Sequence, residues 1–417
     1  MRIIHNKTCR MCDSTEFNTV IDLGMHPLVN SLVRKEDLDK KDPVFPLVVK
    51  QCKKCNLVQL VNIIDSYEIY KNVDYLFFSS DMPGLADYFG EYAHDIMARF
   101  LENQDFVVEI GSNDGIMLNV FKKESPRLKI LGVDPATNVV LRALKRGIPT
   151  VPLFFSERLA YQIKSEWGQA KVIIGNNCIA HLNDLQDLIK GVRLLLLNDG
   201  VFIIECNYWG GMVKNTNYSL IYHDHYSFFS VKVWQQFAAQ YGMRVFDAEV
   251  TPAQGGSLRM FLCKDCRPAT ARLKELEQEE EETLLNYYSP TSQAYCDNVG
   301  RVASRLRYIV YGIKKQCKLI AGYGAAAKGF TILKYSGIGA GHIDYFVDDS
   351  PAKQGWYTPV DHIPIISRAE AENRGLPDYF IILAPNYANV IVEKEKNSEF
   401  RKRGGKFIVP IGDILIV

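Results

Sequence analysis

The chain has 417 residues, 47% of them hydrophobic and 23% charged, so it is too long for one ordinary core and too apolar for a disordered polymer. Forty-nine basic residues against 48 acidic ones leave a formal charge of +1, which gives no electrostatic reason to expect nucleic acid as a partner. No run of about 18 apolar residues suggests a membrane span, and the polar opening Met1–Thr8 does not read as a signal peptide, so a cytoplasmic protein of two or three domains is expected.

Residues 1–70 are loop-rich, with a short strand around Pro46–Lys50. They carry two CxxC pairs, Cys9-Arg10-Met11-Cys12 and Cys52-Lys53-Lys54-Cys55. In a reducing compartment such pairs read as metal ligands before they read as disulfides. Zinc takes four soft ligands in a tetrahedron, and each CxxC turn offers two thiolates at one corner. A structural zinc on Cys9, Cys12, Cys52 and Cys55 is therefore expected, with no open position for catalysis. The 39 residues between Cys12 and Cys52 exceed a zinc ribbon's usual spacing, and a small sheet would fill them. A third pair, Cys263 and Cys266, reads as two ordinary thiols at a strand end.

Residues 71–265 alternate helix and strand. Leu85, Tyr88, Phe89, Tyr92, Ile96, Met97 and Phe100 recur at helical spacing and predict one amphipathic helix. Short apolar runs at Phe106–Ile110, Ile130–Val133, Val172–Ile174 and Val201–Glu205 follow, separated by helical stretches. That alternation predicts a mostly parallel sheet covered on both faces. The first strand runs into Glu109-Ile110-Gly111-Ser112-Asn113-Asp114-Gly115, a glycine-containing turn before a helix, where bare backbone can approach a ligand. Asp134 ends the next strand, 23 residues after Gly111, and is placed to accept from ribose hydroxyls. A dinucleotide site would prefer GxGxxG. Here Asn113 stands where the second glycine would be, and Asn tolerates a left-handed backbone. Glu109 directly before the loop suits a cationic cofactor, so S-adenosylmethionine is favoured over a dinucleotide.

Two further stretches carry candidate chemistry. Tyr222-His223-Asp224-His225 packs two of the eight histidines beside an acid, on a loop after the strand Val201–Glu205. Imidazole is the side chain best poised for proton transfer near neutral pH. His181, in Asn176–His181, follows another strand end and points to the same rim.

Residues 266–417 open with an acidic helical stretch, Leu273–Tyr288, whose run Glu279–Glu282 reads as a solvated face linking two domains. Val299, Val302, Leu306, Ile309, Val310 and Ile313 form a second helix. Strands are expected at Lys318–Gly322, Ile343–Val347, Phe380–Leu383 and Phe407–Val409, making a second small α/β domain. The loop Gly322-Tyr323-Gly324-Ala325-Ala326-Ala327-Lys328-Gly329 reads as a phosphate-cradling turn with Lys328 as counter-charge, although it is not a P-loop.

Taken together, CxxC…CxxC, EIGSNDG (109–115), GVDPATN (132–138), NNCIAH (176–181), ECNYW (205–209), YHDH (222–225), GGSLR (255–259), GYGAAAKG (322–329) and KQGWYTPVDHIPI (353–365) resemble the sugar C-methyltransferase family of branched-deoxysugar pathways, in the same order and nearly end to end. The resemblance implies three domains: a zinc-binding region (1–70), a class I methyltransferase domain with a Rossmann-like sheet (71–265), and a helical linker plus a second Rossmann-like domain (266–417). It implies S-adenosylmethionine on Glu109, Gly111, Asn113, Asp114, Gly115, Asp134, Pro135 and Asn177. It places a nucleotide-sugar substrate, a 4-keto-deoxysugar, on Tyr75, Ser80, Tyr323 and Lys328. His225 would be the base, oriented by Asp224, with Tyr222 and His181 beside the sugar. Asp224 stands where the family commonly has Glu, Gln254 where a histidine is common, and Pro385 where tryptophan is common. A sugar O-methyltransferase and a zinc-module RNA methyltransferase are the competing readings, and a monomer or weak homo-oligomer is expected.

Overall fold

The computed structural model describes residues 3–71, 75, 77–81, 84–284 and 293–417. At its centre is a seven-stranded sheet built from β1 (Phe106–Ile110), β2 (Lys129–Val133), β3 (Thr150–Val151), β4 (Ala170–Asn176), β5 (Leu196–Asn207), β6 (Arg244–Thr251) and β7 (Ser257–Cys263). Their order across the sheet is β6-β7-β5-β4-β1-β2-β3, with β7 antiparallel to both neighbours. The parallel strands β1, β2 and β4 are buried on both faces, as their unbroken Val/Ile runs require. The order reverses at β1, and ligands of open α/β sheets bind outside the strand ends at such a reversal.

The helix expected from Leu85 to Phe100 spans Leu85–Phe100, burying Phe89, Tyr92, Ala93 and Ile96. The short strand β3 and the strand β6 escaped the pattern reading, β3 because two residues carry no periodicity, whereas β7 is the strand that ends at Cys263. The acidic stretch forms a helix over Ala271–Leu284, and the remainder of the Leu273–Tyr288 expectation lies outside the described residues. One of its glutamates corrects the solvated-face reading. Glu280 is 2% exposed and accepts from the backbone N–H groups of Val231 and Lys232 at 2.9 and 3.0 Å, satisfying orphan donors of helix Val231–Gln240. Burial pushes its carboxyl up to about 7.

The N-terminal sheet is antiparallel and contains Phe17–His26, Phe45–Cys52 and Val58–Leu60. Its fourth strand is Ser227–Phe228, from far along the chain, with Ser227 opposite Gln59 and Phe228 opposite Val58. The stretch just after the Tyr222–His225 motif is thus built into the zinc-bearing region and not into the sheet whose sequence surrounds it.

The C-terminal sheet has β8 (Ile320–Tyr323), β9 (Phe346–Val347), β10 (Ile365–Ile366), β11 (Tyr379–Ile382), β12 (Lys406–Val409) and β13 (Leu415–Ile416), in the order β10-β9-β8-β11-β12-β13. All pairs are parallel except the last. The three regions share cores. One buried cluster joins Leu47, Val49 and Leu60 to Trp209, Met212 and Phe228 and to Phe330, Leu333 and Phe346. A second joins Cys9, Met11 and Leu57 to the underside of the central sheet. No helix among the described residues is long and apolar enough to cross a membrane.

Candidate active site and metal centre

The two knuckles converge. The Sγ atoms of Cys9, Cys12, Cys52 and Cys55 all lie within 4.8 Å of one another, and the pairs Cys9–Cys55 and Cys12–Cys52 are 3.5 Å apart. A tetrahedron with Zn–S bonds of about 2.3 Å has S–S edges of about 3.8 Å, so the donor set fits zinc in number, softness and span. The hydrogen bond to Cys52, together with burial, holds the Cys9 thiol up at about 11, because neighbouring thiols cannot all ionise without a cation between them. A bound dication would reverse that balance. These residues would hold zinc as a structural ion.

The glycine loop after β1 lines a cleft of about 1020 Å³, counting the solvent at its mouth. Gly111 has φ +66°, and a Cβ there would sit 2.4 Å from the Cβ of Cys178, so glycine is required twice over. Asn113 and Asn177 also adopt left-handed φ, 49° and 51°. Asp134 accepts from the Asn113 and Ala136 N–H groups, both at 2.9 Å, and burial pushes it up to about 6. Glu109 is 3% exposed, its Oε2 has no hydrogen-bond partner, and burial pushes it up to about 8. A buried carboxyl with one unpartnered oxygen lining the cleft fits a cationic ligand. S-adenosylmethionine meets that test. Glu109, Gly111, Asn113, Asp134, Pro135, Asn177 and Tyr75 all line the cleft, as do Tyr70, Phe154, Phe155, Cys178, His181 and Gln254.

Asp114 does not line it. It is fully buried, accepts from Ser80 Oγ, and pairs with Arg146 at 3.2 Å. Gly115 is likewise outside the lining; its φ of +76° starts helix Ile116–Glu124. Ser80, expected at the sugar, also receives Arg146 Nη2 at 2.7 Å and does not line the cleft, so its hydroxyl ties the 79–81 turn to Asp114 and Arg146. Asn113 does the same: its side chain accepts from Ser79 N at 2.9 Å and donates to Phe77 O at 3.0 Å.

The histidines meet where the three regions meet. Leu220 O receives His225 Nδ1 at 2.7 Å, which fixes the proton on Nδ1. Nε2 is then the acceptor, and Tyr222 Oη donates to it at 2.9 Å. His225 packs edge-on against His181, with centroids 5.0 Å apart, and His181 lines the cofactor cleft. Burial drives the His225 imidazole well below its ordinary value, with the neighbouring His181 ring and Lys328 side chain adding to the shift. It holds His181 at about 4. Both rings are therefore neutral at physiological pH.

The expected roles of Asp224 and Tyr323 are not what the structure shows. Asp224 does not orient His225; its Oδ2 accepts from Asn30 Nδ2 at 3.1 Å, and the Leu220 carbonyl does the orienting. His223 faces the other way, against the Phe45 ring of the N-terminal sheet. Tyr323 is buried in the far layer of the C-terminal sheet, where its hydroxyl donates to Glu395 at 2.8 Å and packs against Phe380 and Phe407. Lys328 does reach the junction. Its ammonium donates to the carbonyl and Oε1 of Gln254 at 3.0 and 2.9 Å and to Asn386 Oδ1 at 3.4 Å, and burial pushes it down to about 7. The loop before it is pinned internally, since Ala325 N–H donates to Asp348 at 2.7 Å.

Tyr70, Cys178 and Asn30 were not singled out by the sequence. Tyr70 hydrogen-bonds His181 through Nδ1, but it lies in a stretch without periodicity, and nothing local distinguishes it.

The chain matches three family models: a zinc binding domain over residues 9–70, a methyltransferase domain over 85–248, and a C-methyltransferase C-terminal domain over 252–412. It is 33% identical over 415 residues to C-methyltransferase NovU of Streptomyces niveus, spanning 98% of this chain and 96% of that one. It is 28% identical over 117 residues to a carboxy-S-adenosyl-L-methionine synthase of Nautilia profundicola, 27% of this chain and 48% of that one. Among solved structures, the plantazolicin methyltransferase BpumL in complex with SAH is 14% identical with a TM-score of 0.36, covering 48% of this chain and 94% of that one.

Proposed function

The chain belongs to the S-adenosylmethionine-dependent C-methyltransferases with a zinc-binding N-terminal domain, and from that premise we propose that it methylates the carbon beside the ketone of a nucleoside-diphosphate-linked 4-keto-deoxysugar. The observation that carries this reading is the His225 imidazole: neutral, proton-bearing on Nδ1, its Nε2 held by the Tyr222 hydroxyl, and packed edge-on against a histidine of the cofactor cleft.

A hydrogen on carbon next to a ketone is acidified by delocalisation of the resulting charge onto oxygen. His225 Nε2 takes that proton as Tyr222 Oη turns its O–H away from Nε2, and Leu220 O, holding Nδ1–H, stabilises the imidazolium that forms. The O–H that Tyr222 turns away from Nε2, together with His181, would stabilise charge developing on the ketone oxygen. S-adenosylmethionine supplies, when bound, an electrophilic methyl on a sulfonium that leaves as a neutral thioether. Proximity would complete the transfer, the carbanion and the methyl being held against one another. Lys328 is a buried ammonium whose partners are neutral oxygens, and it suits the substrate's diphosphate as counter-anion.

The test is a screen of keto-sugar nucleotides with S-adenosylmethionine carrying a CD3 group, read by mass spectrometry, with solvent deuterium wash-in at the acidic carbon. Wash-in with carbon methylation supports the reading; an O-linked methyl removes it. His225→Ala should abolish turnover and wash-in while S-adenosylmethionine still binds, and near-normal turnover in that variant would refute the base assignment.

A further inference from the structure

Arg10 sits between the knuckle ligands Cys9 and Cys12 and is 6% exposed. Burying a guanidinium is costly, and its hydrogen-bond partners here are neutral. Nη1 donates to Gln59 Oε1 at 2.9 Å and to the Tyr226 carbonyl at 3.1 Å. Nε donates to Asn183 Oδ1 at 3.0 Å. The guanidinium also lies over the Tyr226 ring, 5.6 Å from its centroid. A zinc ion with four thiolates carries two net negative charges, so the metal centre that these cysteines fit is the natural counter-charge for this cation.

The neighbours of those acceptors matter. Tyr226 directly follows His225. Its own N–H donates to the carbonyl of Ala180 at 2.7 Å, directly before His181. Asn183 lies two residues after His181. Gln59 faces Ser227 across the sheet and also accepts from Arg10 N at 3.3 Å. One side chain of the zinc knuckle therefore grips both histidine-bearing segments, which belong to loops after two different strands of the central sheet.

We propose that Arg10 is a positioning residue that locks the segments bearing His225 and His181 to the zinc knuckle, so that the metal centre sets the geometry of the base. The catalytic meaning rests on His225 being that base; the lock itself is measured without turnover. Two nitrogens of one rigid plane holding three acceptors is what guanidinium offers and ammonium does not.

The experiment is hydrogen–deuterium exchange with mass spectrometry on the full-length zinc-loaded protein, comparing wild type, Arg10→Met and Arg10→Lys. Zinc should stay at one per chain by elemental analysis. Amides in 179–183 and 220–229 should exchange about tenfold faster in Arg10→Met, with Arg10→Lys intermediate and the cofactor loop 106–116 unchanged. Chelating zinc from wild type should reproduce that pattern. For the keto-sugar nucleotide that wild type methylates, kcat should fall about tenfold or more while KM for S-adenosylmethionine stays within about twofold. Unchanged exchange in 220–229, or faster exchange confined to the knuckles, overturns the proposal. If Arg10→Met loses zinc, Asn183→Ala is the second arm: with zinc retained it should still loosen 179–183, and no loosening overturns the proposal. Normal turnover in His225→Ala with the exchange pattern intact removes the base reading and leaves the lock standing.

Discussion

At the scale of single residues, Glu109 has the most direct measurable consequence. Its carboxyl sits at about 8 because burial disfavours its charge. In the cofactor-free protein at pH 7 it is mostly protonated, and a cation bound against it favours the ionised form. Binding of S-adenosylmethionine should then release up to about one proton at pH 7, and affinity should rise with pH until about 8 and level off above it. Titration calorimetry in two buffers of different ionisation enthalpy measures the release directly, and Glu109→Gln should remove it. Equal proton release in wild type and Glu109→Gln would end this account. The sequence placed this acid correctly before the glycine loop, because loop and acid follow from strand register. It did not give the role of Asp224. Whether a carboxylate touches the histidine next to it in a tight turn depends on where Asn30 arrives from, and no spacing rule encodes that.

At the scale of elements, β5 and β7 are joined by more than their ladder. Arg259 on β7 donates to Glu205 at the end of β5 at 2.8 Å and to Glu249 on β6 at 3.1 Å, and it lies 3.4 Å from the centroid of the Tyr92 ring. Tyr88 also donates to Glu205, so helix Leu85–Phe100 is fastened to the same carboxylate. Glu205 is fully buried and Arg259 9% exposed, so removing one partner strands a charge in a low dielectric. Arg259→Met should cost about 3–5 kcal/mol of stability by chemical denaturation. The double variant Glu205→Gln/Arg259→Met should lose distinctly less, because no charge is left alone. Equal losses in single and double variants would show that packing and not charge accounts for the effect. The sequence marked ECNYW and GGSLR as separate motifs, and only the antiparallel register, Glu205 opposite Arg259, turns them into one unit. The strands themselves were legible because buried parallel strands are continuous apolar runs. The strand Ser227–Phe228 was not, because its reason for existing lies in residues 58–59.

At the scale of the whole molecule, the three regions distinct in sequence texture do not behave as three beads. Ser227–Phe228 completes the N-terminal sheet, Thr331 Oγ donates to the Ile221 carbonyl at 2.9 Å, and His362 meets Asp42 at 2.9 Å. The apolar cluster shared by residues of all three regions would be exposed if any one of them opened alone. Linked domains ordinarily have modest, polar interfaces and unfold in steps. Here the stretch around His225 supplies a strand to one region, lies in the sequence of the second and is a hydrogen-bond acceptor for the third. Scanning calorimetry of the zinc-loaded protein should therefore give one transition, with calorimetric and van't Hoff enthalpies close to equal. Chelation should move that whole transition downward, because zinc binding energy is folding energy in such knuckles. A separate low-temperature transition on chelation, with the main one unmoved, would mean that the knuckle melts on its own. In that case the site could not be under the metal's control, since His225 would keep its place after the knuckle had gone.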